Sequence, residues 1–199
     1  MMLTEQTTLP TLALPIAAFK THLRLGTGFA DDTLQDGLVE STLRAAIATI
    51  EGRIGKMLIA RRFKWTIGDW RTSAEQALPV APVTQIVSVT LVDAAEGTTL
   101  IDPSRFKLVQ DTHRPKLVAT GSALPLVPMS GRAEIVFDAG FGAIWSFVPP
   151  DLAQAVLLLA AEYYENRSEA GVREGGLPFG VVTLIERWRT VRVLGGGAA

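Results

Sequence analysis

At 199 residues, 48% of them hydrophobic, the chain suffices for one domain with a sizeable core, or for one domain carrying an insertion. A net charge of −1 argues against a general electrostatic pull toward nucleic acid or anionic membrane. The absence of cysteine excludes disulfides and thiolate chemistry, and it suits the cytoplasm or an intracellular assembly. The N-terminus lacks a signal-peptide pattern, and the longest strictly apolar run, 155–161, is far short of the ~20 residues that cross a bilayer, so no membrane partner is expected.

Residues 1–14 are rich in Thr and Leu without a period and read as an extended arm, free or lying on a neighbour. A short helix is expected from 15 to about 25, with Ile16, Phe19 and Leu23 on one face and Gly26 and Gly28 ending it. Asp31 and Asp32 are N-cap candidates for a long helix reaching about Leu58. That helix carries two lines. Val39, Leu43, Ile47, Ile50, Ile54 and Leu58 form a large one, which belongs in a core. Gly37, Ser41, Ala45, Ala48, Gly52 and Gly55 form a small one on the opposite side. A small line lets another backbone approach closely, either a helix of the same domain or an adjacent subunit.

The period then changes. Phe63, Trp65 and Ile67 alternate as a strand does, and Pro79 and Pro82 punctuate a connection. Residues 85–93 form the strongest strand pattern, Glu96-Gly97 a turn, and 105–110, 116–119 and 132–138 further strands. Pro149 and Pro150 suit the first turn of a helix, where a missing N–H costs nothing. Leu152, Val156, Leu159, Ala160 and Tyr163 recur behind them at helical spacing, with Ala153, Leu157 and Tyr164 alongside. So wide an apolar arc marks a helix packed on several sides. A polar, Gly-rich loop over 168–176 follows, then a last helix from Pro178 to about Val193.

Catalytic and metal signatures are missing. His22 and His113 lie on different elements without a partner at ligand spacing. Asp31-Asp32 is better explained by capping than by acid–base work. The Gly-rich pieces lack the strand-to-helix context of a phosphate cradle. No catalytic residue, metal or cofactor is expected. Trp188 between Arg187 and Arg189, with Arg192 one turn on, fits a protein interface; stacking on nucleic acid is the alternative use, and a solvated face with Trp188 in the core is a third.

The ordered set of features resembles the head-tail connector (adaptor, or head-completion) proteins of long-tailed phages and phage-like gene transfer agents. The matching pieces are FKTHLRL, DDTLQDGLVESTLRAAIATIEGRIGKML, RRFKWTIGDW, LPVAPVTQIVSVTLVDAAEGTTLI, RAEIVFDAGFG, VPPDLAQAVLLLAAEYYENR and LPFGVVTLIERWR, spread over residues 15–192. The resemblance implies an α+β fold: a helical bundle of about four helices with an antiparallel β insertion between the second and third. Its parts are an arm (1–14), one domain (15–193, helical over 15–58 and 149–193, β over 63–138) and a flexible tail (194–199). It implies a structural part, not an enzyme. Such a part is assembled in the host cytoplasm and sits at the head-tail junction of the mature particle, in a ring commonly of twelve copies below the portal. DNA passes through the ring without sequence-specific binding. The implied partners are the portal protein, a stopper or tail-completion protein, and further copies of the chain. Leu184, Arg187, Trp188, Arg189, Val191, Arg192 and Leu194 are then candidates for portal contact, and Gly37, Ser41, Ala45, Ala48 and Gly52 for subunit packing.

Overall fold

A computed structural model describes residues 1–24, 35–166 and 176–189. The capping pair Asp31-Asp32, Gly26, Gly28, most of the loop at 168–176, and Val191, Arg192, Leu194 and the tail lie outside the described residues.

The elements are β1 (Met2–Glu5), α1 (Ile16–His22), α2 (Asp36–Ile54), β2 (Arg61–Ile67), β3 (Glu75–Ala77), β4 (Val83–Val92), β5 (Thr98–Leu100), β6 (Phe106–Val109), β7 (Lys116–Ala119), β8 (Arg132–Ala139), α3 (Pro150–Glu165) and α4 (Phe179–Ile185). The fold is α+β, with most of the antiparallel strands inserted between α2 and α3, as expected. Two antiparallel sheets form, in the orders β1-β2-β8-β4-β5 and β3-β7-β6.

The large line of α2 is buried throughout: Val39, Leu43, Ile47, Ile50 and Ile54 pack with Leu152, Val156 and Leu159 of α3 and with Val181 and Ile185 of α4. Side chains enclosed this fully contribute roughly 1.5–3 kcal/mol each. The helix stops earlier than the pattern suggests, because Gly55 takes the left-handed conformation (φ 68°) and its N–H bonds Glu51 O, so Leu58 already lies past the turn. Both neighbouring tyrosines turn to α2: Tyr163 Oη lies 3.1 Å from Thr49 Oγ1, and Tyr164 Oη donates to Gln35 Oε1 at 3.1 Å. In the β half, Phe63, Trp65, Ile67, Ile135 and Phe137 form a second core, and the alternate residues of the same strands face outward.

Four further elements differ from the sequence expectation. Residues 2–5, read as an arm free or on a neighbour, instead pair with β2 of the same chain, from Met2 opposite Thr66 to Glu5 opposite Phe63. Strands β3 and β5 form where no strand was expected; both are only three residues long, too short to show a period. The last helix is regular only to Ile185 and continues as a 3-10 turn over Glu186–Trp188.

The two halves are joined where α2 hands over to β2. Glu51 is buried, takes the backbone N–H of Leu58 on Oε1 at 2.7 Å, and pairs through Oε2 with Arg61. Arg61 reaches on to Glu5 at 3.1 Å, so a single guanidinium ties α2, β2 and the N-terminal strand. Burial pushes the Glu51 carboxyl above its usual range, and Arg61 opposes that shift.

Candidate assembly surfaces

The small line of α2 lies on the outside. Gly37, Ser41, Ala45, Ala48 and Gly52 are all exposed. Among the described residues nothing stands within 4 Å of where a Cβ at Gly37 or Gly52 would sit. No described element of the chain's own domain uses the close approach that these residues permit. The surface is the exposed face of a helix whose opposite face is packed in the core.

The C-terminal segment is anchored inward rather than displayed. Trp188 Nε1 donates to Asp151 Oδ2 at 2.6 Å, and Arg187 Nε reaches the same oxygen at 2.7 Å. Phe141 meets the Trp188 ring edge-on at 5.4 Å, and the Arg187 guanidinium lies 4.8 Å from its centroid. Asp151 sits in the first turn of α3, where the helix dipole also favours its charge. Leu184 is half-buried against the helical core, and Arg189 pairs with Glu186 at 3.2 Å. Of the portal candidates, then, Leu184 and Trp188 serve the fold. Arg187 and Arg189 are exposed but engaged with carboxylates of their own chain, which leaves stacking on nucleic acid with less to stand on. Among the described residues of this segment, the exposed large apolar side chain is Phe179, at the start of α4.

Two further surfaces have no sequence signal. The loop 120–131 holds Leu126 and Met129 outward, 85% and 93% exposed, while Leu124 and Val127 beside them are buried. A cleft of about 420 Å³ opens between β4 and β6, lined by Thr84, Gln85, Ile86, Phe106, Lys107 and Leu108. Neither carries catalytic chemistry. His22 is half-buried and His113 exposed, and among the described residues no group of three or more His, Asp or Glu could hold a metal ion. No described helix is long and apolar enough to cross a membrane.

Charge on the outer face of the large sheet is balanced. Arg62 pairs with Asp138, Lys64 with Glu134, and Arg132 with both Glu134 and Glu96. Hydrogen bonds from Arg62 and Lys64 hold Asp138 and Glu134 below the usual carboxylate range. Among the described residues one fully buried cation has no such balance. Lys56, just past α2, is fully enclosed and its Nζ makes no hydrogen bond. Burial lowers its pKa, with the charge of Asp111 opposing.

No protein-family model and no curated protein matches the chain. Solved structures do. A chain of the neck of an empty GTA particle, computed with C6 symmetry, is 55% identical over 98% of this chain and 99% of that one, with a TM-score of 0.89. A chain of the virion of a native gene transfer agent (GTA) particle is 55% identical at the same coverage, with a TM-score of 0.87. A chain from the neck of a native GTA particle, computed with C12 symmetry, is 50% identical and covered alike, with a TM-score of 0.85. At this identity, over almost the whole length of both partners, the chain belongs to the family of these gene transfer agent particle proteins.

Proposed function

We propose that this chain is a structural adaptor of a phage-like particle: a neck component that assembles as a ring at the head-tail junction, joins capsid to tail and extends the DNA channel. It works by shape complementarity between copies and catalyses nothing. The observation that carries the reading is the 50–55% identity to chains of neck and virion structures, two of them computed with cyclic symmetry. The uncovered small-residue face of α2 supports it, since a ring subunit must offer a neighbour a surface that its own domain does not use.

In this reading Gly37, Ser41, Ala45, Ala48 and Gly52 let an adjacent subunit's backbone approach α2. The C-terminal segment from Pro178 onward reaches the portal; Phe179, Arg187 and Arg189 are among its exposed described members. The β half meets a neighbouring copy or the next component, the stopper. The near-neutral outer face of the large sheet suits a part past which DNA slides without being held, because phosphate affinity rises with each unpaired cation offered.

Deletion of the gene from the particle-producing strain tests the reading. The expected result is DNA-filled heads separated from tails, restored by the wild-type gene in trans. Intact tailed particles from the deletion strain would refute it.

A further inference from the structure

We propose that the β6–β7 turn, Asp111 to Arg114, is a two-position strap. In the free chain Asp111 caps its own turn; in the assembled neck it closes on buried Lys56 and fastens the β3-β7-β6 sheet to the end of α2. The proposal rests on the ring reading above and adds a conformational step to it.

Lys56 follows the left-handed Gly55 that ends α2, and its backbone is fixed by a bridge to Ala81. Met57 N donates to Ala81 O at 2.8 Å, and Ala81 N donates to Gly55 O at 3.2 Å. The Lys56 side chain is fully enclosed, and its Nζ, a group with donors only, makes no hydrogen bond. An ammonium taken out of water without an acceptor is costly, and buried polar groups of folded proteins nearly always have a partner. An arrangement that brings a carboxylate to Nζ is therefore favoured wherever the chain can reach it.

The β6–β7 turn is held to this place from both ends. Gln110 Nε2 donates to Thr84 O at 3.1 Å, and Leu78 N donates to Pro115 O at 2.9 Å. Ala81, the residue bridged to Lys56, lies midway along the chain between Leu78 and Thr84. Asp111 is the acid whose charge acts on Lys56. Its carboxylate is turned instead to its own backbone: Oδ1 accepts from His113 N at 2.6 Å and from Arg114 N at 2.7 Å. Those two bonds hold it below the usual carboxylate range, so it is ionised at neutral pH. Among the described residues Oδ2 accepts no hydrogen bond. All four residues of the turn are exposed.

Asp111 thus has two alternative sets of donors, the turn N–H groups and Lys56 Nζ. Closure does not have to empty the first set, since Oδ1 can keep a turn N–H while Oδ2 takes the ammonium. Water decides between the positions. In the free chain, water around the exposed turn screens the attraction between the two charges. A neighbouring component seated on the β half removes that water, and the same attraction then rises severalfold. Such a neighbour favours the closed position through its differential contact with the two, without any change in the rest of the fold. The buried charge that burdens the free chain becomes a tie between the two halves once the neck is assembled.

The test compares incorporation into particles with urea unfolding of the isolated chain. Lys56→Met and Asp111→Asn should each lower incorporation about tenfold, and the double variant should lower it no further. Isolated Lys56→Met should unfold at higher urea than the wild type, so its poorer incorporation does not come from lost stability. Asp111→Glu keeps the charge and weakens the cap of the turn; Asp111→Asn keeps the cap and loses the charge. The strap requires Asp111→Glu to incorporate better than Asp111→Asn. Four results overturn it and leave the neck reading in place: Lys56→Met incorporated at the wild-type level, losses that multiply in the double variant, Asp111→Asn incorporated better than Asp111→Glu, as expected of a residue that only shapes its turn, or a destabilised isolated Lys56→Met, which means the lysine is already paired in the free chain. Absence of the wild-type chain from particles overturns both.

Discussion

Trp188 and Asp151 are joined by a 2.6 Å hydrogen bond that ties the last described turn of the chain to the first turn of α3. The bond is charge-assisted and half-buried, while the Arg187 pair on the same oxygen is largely exposed. Asp151→Ala should therefore cost about 1.5–3 kcal/mol in urea unfolding, and Arg187→Ala under about 1 kcal/mol. Equal effects of the two changes would contradict this ordering.

The same anchoring decides how the C-terminus can be tested. Removing residues 178–199 would strip buried Val181 and Ile185 from the helical core, so lost portal binding would be confounded with lost stability. Ending the chain at Arg189 avoids this. The truncated protein should unfold within ~0.5 kcal/mol of the full chain and bind isolated portal less tightly in a pull-down. Undiminished binding would return the portal contact to the residues before 190.

Gly52→Leu separates fold from assembly. The site is open, and glycine is a poor helix former, so the isolated protein should keep its stability or gain up to about 1 kcal/mol. Incorporation into particles should fall, because the side chain occupies the space where a neighbour would approach. A destabilised monomer would place a packing partner for α2 within the same domain.

Lys56 gives a pH signature. Its folded pKa is lowered from 10.5, so the unfolded chain binds the proton more readily. The penalty of burying the charge is full below the folded pKa and is relieved as pH rises toward the unfolded value. Stability should thus rise with pH across the alkaline window ending near 10.5. Lys56→Met should flatten that slope and raise stability at neutral pH, as replacement of an uncompensated buried cation does. Chemical unfolding of both proteins at matched pH values checks it; a parallel slope in the variant would assign the effect elsewhere.

How much of this was legible in the sequence follows from where periodicity survives. Helix α3 was marked by Pro149-Pro150 and its apolar arc, and the two lines of α2 fell on buried and exposed sides. Strand β1 gave no sign because all four of its residues are exposed, leaving nothing to alternate. Trp188 showed its apolar and polar character but not its direction: Asp151, which turns it inward, is 37 positions away. The loop at Leu126 and the cleft at Ile86 depend on contacts between distant strands, which local pattern does not encode.

Electron cryomicroscopy of the neck in particles from the native producer tests the central claim most directly. The account predicts a cyclically symmetric ring between portal and tail into which this chain fits, with the Gly37–Gly52 face of α2 against a neighbouring copy. A neck reconstruction complete without this chain would contradict it.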